Sequence, residues 1–215
     1  MRRSYQSPQR EGRARATRLR ILRAATSLFD ECGYAATTIR SVAERAGVAV
    51  PTVEALFGTK ARLLKAAIDV ATAGDDEPLP MLDRDWAAAA TIAADPETFL
   101  TVLASVLAPV QSRSSGLVLS VFEGAGSDPE LAGLAAQMTA QRVTMATWAV
   151  VRLTALGALR TGVAEGEAVD TVFAIMEPAL YDRLTRQRGW TLARYQDWIV
   201  RSLRRLLVAE RTDAT

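Results

Sequence analysis

Histidine is absent from the 215-residue chain and cysteine occurs once, at Cys32. Without histidine the chain lacks the commonest zinc and copper ligand and the usual proton shuttle near neutral pH, which argues against metal sensing and His-based catalysis. A single cysteine excludes an internal disulfide, and Cys32, near a helix end, is expected to be a small buried hydrophobe rather than a redox switch. Also missing are a glycine-rich phosphate loop, a Gly-x-Ser-x-Gly elbow and paired carboxylates at a spacing suited to acid–base work. There is neither a run of about 20 consecutive apolar residues nor the roughly 7 to 15 residue apolar stretch of a secretory signal, so a cytoplasmic protein with no membrane partner is expected. No catalytic residue, metal site or cofactor is expected. No segment alternates convincingly with period two, and the expected fold class is all-α.

What is present is an uneven distribution of charge. Apolar residues at 49% and charged residues at 23% are ordinary for a globular protein, and the formal net charge is only +2. Residues 1–65, however, hold 13 Arg or Lys against 5 Asp or Glu, while the remainder holds 13 against 19. One basic end on an otherwise acidic molecule fits a polyanion partner bound by that end.

Within the basic end, residues 37–65 carry the most local information. Thr38 is placed to cap a helix whose Ile39, Val42, Ala43 and Ala46 share a face. Gly47 supplies the left-handed conformation for a sharp reversal, and Pro51 fits only in the first turn of a second helix starting near Val50. Val48, Val53 and Phe57 then point back to the first helix, leaving Val50, Pro51, Thr52, Glu54 and Ala55 outward. Gly58 closes the second helix, and Thr59 caps a third with Lys60 in its first turn and Leu63, Leu64, Ala67 and Ile68 as its apolar stripe. The spacing predicts a helix-turn-helix.

The run Thr-Thr-Ile-Arg-Ser-Val-Ala-Glu-Arg-Ala-Gly-Val, with Pro-Thr-Val, Phe57, Gly-Thr-Lys, Leu63 and Leu64, resembles the N-terminal domain of TetR-type transcriptional regulators over residues 13–70. The resemblance implies a dimeric, ligand-responsive DNA-binding protein, most readily a repressor of a near-palindromic operator. Position by position it implies DNA contacts at Thr38, Arg40, Val50, Pro51, Thr52, Glu54 and Lys60, with Arg40 and the start of the second helix on bases and Thr38, Thr52 and Lys60 on phosphates. Two positions depart from the family. Glu54 stands where a phosphate-touching tyrosine is usual, and Leu56 where histidine or tyrosine is common. A carboxylate beside phosphate is repulsive, so Glu54 either reads a cytosine amino group or turns away from the backbone.

Around this stretch the chain divides into a disordered basic arm at 1–12, a DNA-binding domain at 13–73, and a larger helical domain at 81–209 beyond the acidic, turn-rich segment from Gly74 to Pro80. Helices are predicted over 13–31, 86–93, 96–111, 116–124, 129–158, 167–188 and 191–209, with Pro178 kinking or splitting the penultimate one. Phe99 and Leu103 on one helix, and Met138, Gln141, Met145 and Trp148 on another, could line a ligand cavity or be ordinary core. Periodicity favours core, and the resemblance favours a pocket for a small apolar or amphipathic effector. The resemblance also implies a homodimer through helices 167–188 and 191–209. An α-helical enzyme with an unrecognised active site, or a DNA-binding protein without an effector, are the competing readings.

Overall fold

In a computed structural model, which describes residues 8–209 apart from 76 and 78, ten α-helices and no strand occur among the described residues. They are α1 (Pro8–Ala36), α2 (Ile39–Ala46), α3 (Val50–Phe57), α4 (Lys60–Ala73), α5 (Asp85–Thr91), α6 (Pro96–Gly124), α7 (Pro129–Ala155), α8 (Glu165–Ile175), α9 (Pro178–Asp182) and α10 (Leu192–Leu207). A 3-10 turn at Met81–Asp83 precedes α5, and a π-helical turn at Arg183–Gln187 extends α9. The all-α expectation holds.

Three expectations are corrected by packing. Residues 8–12, read as part of the arm, are the first turns of α1, because Pro8 is tolerated where the amide would have no partner and the residues after it are mostly compatible with helix. Residues 1–7 of that arm lie outside the described residues. The predicted break between 111 and 116 does not occur, and α6 is one 29-residue helix with Pro109 inside it. Gly116 is a place of close approach rather than a helix start: a Cβ there would lie 2.1 Å from the Asp30 carboxylate on α1. Gly124 plays the same part towards α7, where a Cβ would fall 2.4 Å from Leu131. Finally, Cys32, just before the non-helical kink at Gly33 near the end of α1, is exposed rather than buried.

Pro178 does split the penultimate helix, into α8 and α9. α6 is long and apolar enough to cross a membrane by length and composition. Instead it forms the spine of the molecule, with α1 and α4 against its C-terminal half, Tyr195, Ile199 and Leu203 of α10 buried in the core around its N-terminal half, and α7 alongside. One apolar cluster joins α1–α4 to Leu117 and Val121 of α6 and Leu131, Leu134 and Ala135 of α7, and a second gathers α5, the rest of α6 and α7, and α8–α10. The helix-turn-helix is therefore cored against α6 and α7.

Candidate nucleic-acid interface and ligand cleft

The local chemistry of α2 and α3 produces the expected turn. The Thr38 hydroxyl accepts from the Ser41 amide at 3.0 Å and Ser41 Oγ accepts from the Thr38 amide at 3.1 Å, a reciprocal cap at the start of α2. Gly47, at φ 63°, ends α2 in the left-handed region where a side chain would be strained. Pro51 sits in the first turn of α3. Val53 and Phe57 are buried beneath α3, and the Arg18 guanidinium stacks over the Phe57 ring at 4.8 Å, which fixes α3 to α1. Arg45 reaches both oxygens of Glu31 at 2.8 Å and ties α2 to the same helix.

Of the seven candidate DNA residues, Thr38, Arg40, Pro51 and Glu54 are exposed, while Val50, Thr52 and Lys60 are half-buried. Thr38 uses its hydroxyl as the cap. Lys60 donates to the Tyr34 and Thr37 carbonyls at 2.8 and 3.0 Å with its ammonium 3.9 Å from the Tyr34 ring centroid, so it closes the end of α1 onto the start of α2. Burial lowers its pKa from the ordinary lysine value, with the Asp128 carboxylate acting in the opposite sense. Along α1, Arg10, Arg13, Arg20 and Arg23 are exposed and extend the basic surface.

A cleft of about 740 Å³ opens on the opposite side of α4, between that helix, the 77–86 connection, α6 and α7. Leu103, Met138, Gln141 and Met145 line it as candidates from the sequence; Phe99 and Trp148 do not. Phe99 is fully buried and packs on Trp148 at 5.7 Å between centroids, and Trp148 meets the cleft-lining Trp86 edge to face at 5.6 Å, so the two form packing behind the wall. Met81 and Leu82, Trp86 of α5 and Arg142 of α7 also line it and were not anticipated; the segment holding Met81 and Leu82 has no periodicity to read. Arg142 pairs with Glu177 at 2.7 Å and lies over the Phe173 ring at 4.1 Å.

The start of α7, roughly one or two turns before its first cleft-lining residue Leu134, is joined to the α1–α4 unit. Asp128 caps α7 by accepting from the Glu130 and Leu131 amides, and it also accepts the Tyr34 hydroxyl at 2.8 Å. That bond holds the Asp128 carboxyl below its usual pKa, while burial first, and then Asp128, push the Tyr34 phenol up. Thr59 donates to Glu130 at 2.6 Å, and Arg186 reaches Asp30 at 2.7 Å. The start of α7 is thus tied to the α1–α4 unit at Tyr34 and Thr59, and the π-helical turn after α9 is tied to it at Asp30.

Residues 21–67 match the model of the family described as bacterial regulatory proteins, tetR family. Among curated proteins none matches the chain in sequence. Similar solved structures include NalD, the secondary repressor of the MexAB-OprM multidrug efflux pump in Pseudomonas aeruginosa, at 22% identity and TM-score 0.66, covering 92% of this chain and 98% of that one. The transcriptional regulator FadR from Bacillus subtilis in complex with stearoyl-CoA is 16% identical with TM-score 0.67, over 86% and 96% of the two chains. A SmeT–triclosan complex is 19% identical with TM-score 0.63, over 91% and 93%. At these identities the likeness is one of fold. Residues 21–67 thus resemble the tetR family of bacterial regulatory proteins, and the chain as a whole shares its fold with these solved transcriptional regulators.

Proposed function

We propose that the protein is a homodimeric DNA-binding regulator of transcription, a repressor of a near-palindromic operator released by a small apolar or amphipathic molecule. The observation that carries this is the helix-turn-helix itself, with Arg40, Pro51 and Glu54 exposed on the most basic part of the chain. Residues 13–73 serve as the DNA-binding part and 81–209 as the effector-binding and dimerisation part. Leu103, Met138, Gln141 and Met145 are the effector contacts; their apolar wall with a few polar groups has the composition of a small-molecule site. That SmeT and FadR, of the same fold, were solved with triclosan and stearoyl-CoA bound supports a small-molecule ligand for this chain.

The dimer is proposed to form through residues 167–188 and 191–209, using the outer faces of these helices. Tyr195, Ile199 and Leu203 are unavailable, being fully buried within the chain. Two recognition helices in successive major grooves sit about 34 Å apart, one helical turn. The test is footprinting on duplexes selected by the full chain, with sedimentation of the same sample. Two symmetric protected patches on one face of the duplex and a mass about twice the 23.2 kDa of one chain are expected. A monomer protecting a single patch with equal affinity would overturn the reading.

A further inference from the structure

α3 has an unusual surface for a helix meant to lie among phosphates. It contains no lysine or arginine, its exposed residues are Pro51, Glu54, Ala55 and Leu56, and its polar side chains are Thr52 and Glu54. The Glu54 carboxylate has no hydrogen-bond or ion-pair partner among the described residues. Cations that could offset it in the DNA complex stand on other elements, at Arg40 on α2 and along α1.

We infer that Glu54 is a specificity-determining residue that reads a cytosine in each operator half-site; this rests on the DNA-binding reading above. An ionised carboxylate accepts hydrogen bonds and donates none. The major-groove edges of guanine and thymine offer it acceptors, which repel it. Adenine and cytosine offer amino groups, but the adenine amino group lies beside the N7 acceptor, whereas the cytosine amino group lies beside a C–H. Cytosine is thus the base that satisfies the carboxylate without opposing it. The same charge makes Glu54 a rejecting group elsewhere: over guanine or thymine it would be desolvated, unpaired and close to phosphates, and over adenine its one hydrogen bond would be opposed by N7. Ala55 and Leu56, exposed beside it, are apolar and suit a thymine methyl group.

The alternative placement, with Glu54 facing phosphate, makes the opposite kind of defect, because repulsion by the backbone is the same for every sequence. The two separate in one experiment. The full chain and its E54Q and E54A variants each select duplexes from a random pool, and affinities for selected and random duplexes are then measured at one salt concentration. The wild-type selection is expected to fix one C·G pair per half-site. E54Q is expected to move that preference to A·T, since an amide both donates and accepts and matches the adenine N6 and N7 pair. E54A is expected to lose the discrimination at that pair, by about 5- to 150-fold, while binding random duplex more tightly. If both variants tightened binding to selected and random duplexes by the same factor and kept the wild-type preference, Glu54 would face phosphate and the inference would fall. A wild-type chain that bound duplexes but selected no sequence would overturn the operator reading itself, before the variants were compared.

Discussion

Lys60 is the residue whose expected role the structure changes most. The family resemblance implies a phosphate contact for it, yet two of its donor hydrogens go to the Tyr34 and Thr37 carbonyls. Lys60→Ala is therefore expected to lower stability by about 1–2 kcal/mol in a denaturant melt, as two charge-assisted bonds at a half-buried site are removed. If the third donor also meets a phosphate, the same variant weakens binding to every sequence and lowers the salt slope by about one unit. Arg40→Ala should leave the melt unchanged and cost roughly 1–3 kcal/mol on the operator, relaxing preference at one base pair. Equal losses on operator and random DNA would make Arg40 a phosphate holder instead. The helix-turn-helix was legible because its signals are local: Thr38, Gly47, Pro51, Gly58 and Thr59 each act within a few residues of themselves. What Lys60 touches was not legible, because Tyr34 lies 26 residues away.

At the scale of elements, α10 shows what an amphipathic stripe can and cannot say. The helical period of Tyr195, Ile199 and Leu203 gives a face to be covered, but a period does not distinguish cover by another subunit from cover by the same chain, and here they pack within the chain's own core. A charge at Leu203 is accordingly expected to cost more than about 4 kcal/mol and abolish folding rather than release a folded monomer. A folded, monomeric Leu203→Glu variant by sedimentation and circular dichroism would instead place that stripe in a dimer interface. The continuity of α6 was hidden for a related reason. Gly116 reads locally as an interruption, and only the Asp30 carboxylate packed over it explains why glycine stands in mid-helix. The cleft was half legible: periodicity found the α6 and α7 walls, but Met81 and Leu82 come from a connection without a period, and nothing local separated wall residues from the Phe99 and Trp148 packing behind them.

For the whole molecule, the central claim is that one end holds DNA and the cleft loosens that hold. The physical route proposed runs from the cleft wall on α7, through Asp128 and Glu130 at its start, to Tyr34 and Thr59 of the α1–α4 unit. A ligand can shift this equilibrium only by its preference between the two spacings of the recognition helices, typically about 1–3 kcal/mol, or roughly 5- to 150-fold in operator affinity. Thr144 lines the cleft and is exposed, so Thr144→Trp should fill space without disturbing core or DNA surface. The most direct measurement is operator affinity against the concentration of an apolar compound found by quenching of the cleft tryptophan Trp86, for wild type and for Thr144→Trp. The expected result is that the compound weakens wild-type binding within that range and leaves the variant, of equal affinity without ligand, unaffected. A compound that released operator equally from both would place the control outside this cleft, and one that bound it without changing operator affinity would contradict the claim.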